Sequence, residues 1–297
     1  MRRVIATAVL ALALVVPARV QERLQLPNKS DSIKFLAIGD SGTGGSDQRR
    51  VASRIAEVYK IFKFEFAIMV GDNLYGGEGA SDYRRKFEEP YKPLIDAGVK
   101  FYAALGNHDD PTQRFYKPFN MNGERYYSFK APKPGIGIRG GARFFALDSN
   151  YMSPEQLKWL EKELAASGAD WKVPFFHHPL YSSGAKHGSD TALRDQLEPL
   201  FLKYGVDVVF AGHEHFYERL KPQNGIYYIT EGGSAKLRAG NIRVGSEMTA
   251  KGFDTDNTFM LVEIVKDQLY FETISRRGQV IDAGTFMRRE VSQAARK

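Results

Sequence analysis

Short apolar runs and amphipathic stretches alternate along the chain from Ile33 onward. Several of the apolar runs stop at glycine, proline or a cluster of polar residues, which is typical of buried strands that end in a loop. These runs occupy residues 33–40, 66–73, 100–109, 142–150, 172–179 and 207–215. The pattern predicts six buried strands, each carrying polar side chains at its carboxyl end.

The amphipathic stretches between the runs predict helices at residues 47–59 and 190–204, and a third that begins at Ser153. The third has a clear start signal, because Ser153 suits the N-cap, Pro154 the first turn and Gln156 the capping-box position.

After Glu218 the pattern becomes rich in strands, at residues 224–233 and 257–287. The sequence shows no linker, low-complexity tract or internal repeat. We therefore expect one α/β domain over residues 31–290, with strands inside and helices outside.

The first residues resemble a secretory signal peptide covering residues 1–18 (to about 22). Arg2 and Arg3 form a basic start, residues 4–16 are apolar, and Val16-Pro17-Ala18 suits cleavage. The alternative is a membrane anchor, but the apolar run is shorter than the ~20 residues that a spanning helix needs. We expect an exported protein, periplasmic or secreted, without a transmembrane segment after the signal is removed.

The composition excludes some kinds of chemistry. The 297 residues contain no cysteine, which rules out a thiolate nucleophile and disulfides. The formal charge of +7 favours anionic substrates slightly, yet the basic residues are scattered, so nucleic-acid scaffold binding is not indicated.

All six histidines lie in or beside strand ends marked by glycine or proline. Strand ends are where open α/β sheets place ligand sites. In the segment Gly212-His213-Glu214-His215 the two histidines can share a face, and imidazole, carboxylate and amide groups together suit Zn, Fe or Mn. A Gly-Asp at a strand end alone is more often a turn. The ordered series GD, GDNLY, GNHD, HHP and GHEH predicts a two-metal site.

With this series the chain resembles the purple acid phosphatases, small tartrate-resistant type, of the calcineurin-like metallophosphoesterase superfamily. Ordinary members carry Asp-x-His in the first motif, whereas Asp40-Ser41-Gly42 lacks the histidine. The purple acid phosphatases instead have a tyrosine three residues after the second aspartate, here Tyr75. The resemblance implies a four-layer α/β/β/α sandwich, with two central mixed sheets flanked by helices.

The resemblance also implies a ligand set for two metal ions. A ferric ion would be held by Asp40, Asp72, Tyr75 and His215. A divalent ion (Fe, Zn or Mn) would be held by Asp72 again, with Asn107, His177 and His213. A phenol has a pKa near ~10, so binding as phenolate needs a strongly polarising cation such as Fe(III).

The expected reaction is hydrolysis of small phosphate monoesters by direct attack of a metal-bound hydroxide, without a phosphoenzyme. His108 is the candidate for binding phosphate and protonating the leaving alcohol, with Asp109 or Asp110 orienting it. His187 matches a family histidine that faces the substrate. The family does not usually have a histidine at the position of His178. The assignment of His177 rather than His178 as the metal ligand is therefore less secure.

Two alternatives stay open from the sequence alone. One is a dimetal phosphodiesterase acting on nucleotides or other diesters, and the other is a non-catalytic metal- or phosphate-binding protein. The natural substrate, the divalent metal and the oligomeric state are not indicated by the sequence.

Overall fold

Two mixed β-sheets form the centre of the molecule. The structure is a computed structural model, which describes residues 24–131, 141–168 and 170–289. The predicted signal peptide lies outside the described residues. The described chain begins by packing on the first sheet, where Leu26 is buried in a core cluster with strand residues such as Leu36.

The first sheet has six strands in the order β13-β12-β11-β1-β2-β3. Strands β1, β2 and β3 are parallel, and the C-terminal hairpins add three antiparallel strands beside β1. The strands are Ile33–Ile38 (β1), Phe66–Met69 (β2), Lys100–Ala103 (β3), Thr258–Val265 (β11), Gln268–Ser275 (β12) and Val280–Met287 (β13).

The second sheet has seven strands in the order β10-β8-β9-β7-β6-β5-β4. Its central strands β5, β6, β7 and β9 are parallel, and antiparallel strands close both edges. The strands are Tyr127–Ala131 (β4), Ala142–Ala146 (β5), Trp171–Phe175 (β6), Val208–Ala211 (β7), Tyr217–Leu220 (β8), Tyr227–Glu231 (β9) and Thr249–Phe253 (β10). The six strands predicted from apolar runs are all present.

The predicted helices are also present: Ser46–Tyr59 (α1), Pro154–Ala165 (α4) and Thr191–Tyr204 (α5). Ser153 caps α4 by accepting a hydrogen bond from the amide of Gln156 (3.2 Å). The Gln156 side chain bonds the main chain of Asp148 instead of closing a capping box. A further helical stretch was not predicted; it comprises Ala80–Tyr83 (α2), a π-helical turn at Arg84–Glu88 and Glu89–Asp96 (α3). No helix in the described part of the chain is long and apolar enough to cross a membrane.

The layers follow from strands that are apolar on both faces. In β1, Leu36 and Ile38 pack outward against α1 and α3, while Phe35 and Ala37 face the second sheet. Helices α4 and α5 cover the outer face of the second sheet. The predicted fold of two mixed sheets flanked by helices is confirmed.

A cluster of aromatic rings joins the two sheets. The Phe35 ring lies 5.4 Å from Phe66 and 5.1 Å from Phe144, measured between centroids, and Phe66 lies 5.2 Å from Phe144. All three side chains are almost fully buried, so this cluster sets how the sheets pack.

Replacing Phe144 with alanine should lower the free energy of unfolding by about 3–5 kcal/mol, because the ring is buried on all sides and leaves a cavity. Urea denaturation measures the loss. Tyr151→Ala, at a side chain that is 68% exposed, serves as control and should change stability by less than ~0.5 kcal/mol. Equal effects of the two changes would contradict this account of the sheet interface.

Candidate metal centre

The carboxyl ends of parallel strands from both sheets meet at one edge of the molecule. Most of the predicted metal ligands come shortly after these strand ends. Asp40 follows β1, Asp72 follows β2, Asn107 follows β3, His177 follows β6 and His213 follows β7. The fold thus brings together residues that are far apart in sequence.

The backbone at these turns is strained. Asp40 (φ 52°), Asp72 (φ 51°) and His213 (φ 68°) adopt the left-handed conformation, which non-glycine residues use rarely and which often marks functional sites. Gly71 has φ 92°, and a Cβ there would lie 2.5 Å from Nδ1 of His177. Only glycine allows the imidazole to approach this turn.

One group of ligand atoms consists of Asp40, Asp72 and His215, whose candidate donor atoms all lie within 4.8 Å of one another. Tyr75 joins them, since its hydroxyl donates to Oδ1 of Asp40 (2.9 Å) and lies 3.4 Å from Nε2 of His215. The two carboxylates are buried. Four oxygen and nitrogen ligands therefore converge on one point.

Burial and neighbouring charges shift the pKa values of the residues in this group. Burial, followed by the charge of Asp72, raises the pKa of Asp40 well above its ordinary value. Burial and the same carboxylates raise the pKa of the Tyr75 phenol. Burial, followed by the positive charge of Arg238, lowers the pKa of His215 to about 4. A bound cation would offset the repulsion between the carboxylates and favour phenolate.

The second group is formed by Asn107, His177 and His213. Nδ1 of His177 lies 3.0 Å from the carbonyl oxygen of Val70, which can only accept, so Nδ1 carries the proton. Burial keeps the His177 imidazole neutral by lowering its pKa, and Nε2 is left with a lone pair. That lone pair faces Oδ1 of Asn107 at 2.9 Å and Oδ1 of Asp72 at 3.4 Å.

Nε2 of His177, Oδ1 of Asn107 and Oδ1 of Asp72 are acceptors with no proton to share. A metal ion bound between them would satisfy all three lone pairs. Nδ1 of His213 adds a further nitrogen to this group, 3.0 Å from Oδ1 of Asn107 and 3.1 Å from Nε2 of His177. Oδ2 of Asp72 is buried and has no hydrogen-bond partner among the described residues. An unpaired buried carboxylate oxygen is costly, and Asp72 lies between the two groups. Nitrogen and oxygen ligands of this kind suit Fe, Zn or Mn.

His178 lies at the edge of the second group. Its candidate donor atom is within 4.8 Å of those of His177 and His213, but Nδ1 contacts the hydroxyl of Ser149 at 2.9 Å. His177 is the fully buried member of the pair and the one that faces Asn107 and Asp72.

His108 is exposed beside the first group. Its amide donates to Oδ1 of Asp72 (3.0 Å), and its ring lies 5.0 Å from the ring of Tyr75. The backbone of His108 is therefore attached to the carboxylate that both groups share, while the imidazole remains exposed to solvent.

Asp109 faces the interior of its own loop. Its carboxylate accepts hydrogen bonds from the amides of Asn73, Leu74 and Gly106 and from the Gln113 side chain. Asp110 caps the following turn by accepting from Thr112. We expected one of these aspartates to orient His108, but the bonds just described connect Asp109 to the loops and not to the imidazole. Asp109 therefore holds together the loop that carries His108.

His187 lies beside the second group, with its ring 4.2 Å from the ring of His213. Its loop is held by Glu214, the buried residue between the candidate ligands His213 and His215. Oε1 of Glu214 accepts from the amide of Gly188 (2.7 Å), and Oε2 accepts from the side chain of Asn241 (2.7 Å). Glu214 thus points away from the metal groups and positions the His187 loop.

Sequence reasoning missed Lys86, which lies in the π-helical turn and is 3% exposed. Its ammonium donates to the carbonyls of Tyr75 (2.7 Å) and Gly77 (2.6 Å) and pairs with Asp82 (2.8 Å). Lys86 therefore fixes the segment that carries the tyrosine. No local pattern indicates this, because the contact depends on a helix that was not predicted.

Lys236 and Arg238 were also missed. The Lys236 ammonium lies 4.5 Å from the centroid of the Tyr75 ring, and the Arg238 guanidinium lies 3.7 Å from Oε2 of Glu214. Their segment follows β9, which is parallel to β7, so the strand-end rule applied to β9 would have found them.

A model of the calcineurin-like phosphoesterase family matches residues 33–217, more than half of the chain. The chain belongs to this family. Tartrate-resistant acid phosphatase type 5 of Homo sapiens is 28% identical over 256 residues, covering 72% of this chain and 77% of the relative. Purple acid phosphatase 7 of Arabidopsis thaliana is 27% identical over 304 residues, covering 90% of this chain and 91% of the relative.

Among solved structures, a purple acid phosphatase from yellow lupin (Lupinus luteus) seeds has the same fold. It matches with a TM-score of 0.70 at 22% identity, covering 88% of this chain and 55% of that chain. Within its family, this chain is therefore similar to the purple acid phosphatases, including the tartrate-resistant type.

Replacing Lys86 with methionine should lower the free energy of unfolding by about 1.5–3 kcal/mol, because it removes the charged donor that the carbonyls of Tyr75 and Gly77 accept from. Arg84→Met is the matched control, since the Arg84 side chain lies on the same turn and is 67% exposed; it should cost less than ~0.5 kcal/mol. Denaturant titration of both variants measures the difference, and similar losses would show that Lys86 does not hold the Tyr75 segment.

Proposed function

We propose that the chain is a dinuclear-metal acid phosphatase that hydrolyses phosphate monoesters. The observation that supports this most strongly is the convergence of side-chain oxygen and nitrogen atoms from seven residues at one edge of the sheets. Their donor types suit two cations, and family membership adds phosphoester hydrolysis. The relatives named above are acid phosphatases.

In this proposal each group holds one metal. Asp40, Asp72, Tyr75 and His215 bind a ferric ion, and Asp72, Asn107, His177 and His213 bind a divalent ion, with Asp72 shared. The phenol of Tyr75 favours a trivalent ion, because an anionic phenolate stabilises high positive charge. When bound, the two metals would polarise the phosphoryl group and activate a water as nucleophile, so that no phosphoenzyme forms.

The protein side chains then bind the substrate and deliver a proton. His108 is exposed beside the first group. Its imidazolium can donate a hydrogen bond to a phosphoryl oxygen and transfer a proton from Nδ1 or Nε2 to the oxygen of the leaving alcohol. Asp109 positions His108 through the hydrogen bonds that close its loop. His187 faces the substrate from the other side of the site, next to His213.

Export is also part of the proposal. It depends on the amino-terminal sequence, whose residues 1–23 lie outside the described part of the chain. A periplasmic or secreted phosphatase would act on small phosphate esters outside the cytoplasm.

The aerobically purified mature protein should be coloured and should contain about two metal ions per chain. A broad visible band from ferric tyrosinate should disappear in Tyr75→Phe, because phenylalanine supplies no oxygen ligand. Absorption spectroscopy with metal analysis of the same samples checks this. Tyr59→Phe, at the end of α1, is the control and should keep the band. A colourless wild-type protein that holds two metals would rule out the iron–tyrosine assignment.

Replacing His108 with alanine should lower the turnover of a phosphate monoester by roughly 10²–10⁴-fold while both metals remain bound, if His108 is the general acid. Lys117→Ala, an exposed change further along the same connection, should leave turnover within about twofold. Rates are measured with a monoester and its matching diester. Unchanged turnover in His108→Ala would remove His108 from the mechanism, and faster wild-type turnover of the diester would make the protein a phosphodiesterase.

A further inference from the structure

The ring of Tyr75 has a cation on one face. The ammonium group of Lys236 lies over this ring, 4.5 Å from its centroid, a distance at which the electrons of the ring attract a positive charge. The phenol oxygen of the same residue lies 2.9 Å from Oδ1 of Asp40 and 3.4 Å from Nε2 of His215. Tyr75 therefore joins a candidate metal position at its oxygen to a lysine at its ring.

The main chain of Lys236 is fixed to the same turn as Asp40. The Lys236 amide donates to the carbonyl of Asp40 (3.2 Å), and the amide of Ser234 donates to the carbonyl of Gly39 (3.2 Å). The side chain of Asn257 donates to the carbonyl of Lys236 (3.3 Å). These three hydrogen bonds hold the segment after β9 against the first metal group, so the lysine side chain starts from a fixed point beside the ring.

The charge of Lys236 acts on the first metal group. Within the described ranges, its ammonium forms no ion pair with a carboxylate, whereas the neighbouring Arg238 pairs with Glu214 (3.7 Å). Burial and the charge of Arg238 lower the pKa of His215, and the charge of Lys236 adds to this effect. The field of the lysine therefore reaches a second candidate ligand of the same group.

A charge in this place has a consequence for a metal on the phenol oxygen. A phenolate donates electron density to a bound ferric ion, and a visible band arises when light moves an electron from the ring to the metal. A cation over the ring lowers the energy of the ring electrons, so the phenolate donates less and the transition needs more energy. A ferric ion that receives less electron density stays a stronger Lewis acid and accepts an electron more readily.

We propose that Lys236 is a positioning residue of the first metal group that acts through Tyr75, because its charge limits the electron donation of the phenolate and keeps the ferric ion strongly acidic. This inference rests on the proposed ferric ion at Tyr75 and gives a role to a residue outside both ligand groups. The role needs a positive charge over the ring. Arginine, which also stacks on aromatic rings, should replace the lysine, whereas the uncharged methionine should not.

The visible absorption spectrum tests this role. In Lys236→Met the band should move to longer wavelength, with its intensity and about two metal ions per chain retained, whereas Lys236→Arg should keep the wild-type position. Lys63→Met is the matched control, because the Lys63 ammonium lies 4.2 Å from the centroid of the Tyr59 ring. This pair precedes β2, whereas Tyr75 follows it. The control removes the same kind of contact away from the metal groups and should leave the band unchanged.

A reductive titration provides a second readout. A soluble one-electron mediator transfers one electron to the ferric ion, which becomes ferrous, and the loss of the visible band reports the fraction reduced. At a fixed potential the ratio of ferric to ferrous protein should rise about tenfold in Lys236→Met, because a nearby positive charge no longer favours the added electron. The ratio should stay within about twofold in Lys236→Arg and Lys63→Met. A ring displaced from the metal would have the opposite effect, since it would weaken the band and make reduction easier.

The possible outcomes separate this inference from the proposed function. If Lys236→Met has the wild-type band and the wild-type ratio, Lys236 does not act through Tyr75, while the ferric site stands. If Lys236→Met and Lys236→Arg both lose band intensity, the lysine only holds the ring in place and the inference is wrong. A colourless wild-type protein would remove the ferric ion from Tyr75 and overturn the iron assignment together with this role of Lys236.

Discussion

The Asp72 carboxylate is the group around which this molecule is organised. It is buried, its backbone is in the left-handed conformation, and one of its oxygens has no hydrogen-bond partner among the described residues. The other oxygen accepts from His108 and lies close to the bare nitrogen of His177. Burying such a group is unfavourable unless a charge of opposite sign accompanies it. The convergence of ligands from two sheets around Asp72 follows from this requirement.

The residues that stabilise the fold lie between the sheets, whereas the residues of the candidate metal site lie in the turns beyond the strand ends. Both faces of the central strands are apolar, and the aromatic contacts among Phe35, Phe66 and Phe144 hold the sheets together. The strand ends are consequently rigid, and the short turns beyond them can carry strained backbone. Glu214 and Lys86 extend this support outward, because one anchors the His187 loop and the other anchors the segment of Tyr75. These two residues act on the site without belonging to either metal group.

The acidic and basic residues near the site come from different segments of the chain. Glu78, Asp109 and Asp110 lie in the segment after Tyr75 and the loop after β3, whereas Lys186, Lys236 and Arg238 lie in segments after β6 and β9. These segments come from different sheets, whose strands end in loops that come together at this edge. A formal charge of +7 for the whole chain does not reveal such an arrangement, since composition contains no information about which charges face one another.

Much of the fold could be predicted because continuous apolar runs report burial directly. Strands β1, β2, β3, β5, β6 and β7 and three helices were found in this way. Strands β4, β8 and β10 were missed because they lie at or near the edges of the second sheet, where charged and exposed side chains break the pattern. The helical stretch from Ala80 to Asp96 was missed because its many charged residues and two prolines hide its periodicity.

The sequence by itself determined the types of candidate ligand and their order, since each predicted strand ends in a short polar motif and the sequence shows Tyr75 in a chain whose first motif lacks a histidine. Only the tertiary structure decided which atoms face one another. The carbonyl of Val70 selects the tautomer of His177, the loops draw Asp109 away from the His108 ring, and β9 brings Lys236 to Tyr75. Each of these contacts joins residues distant in sequence or depends on the direction of a side chain. Local pattern contains neither kind of information.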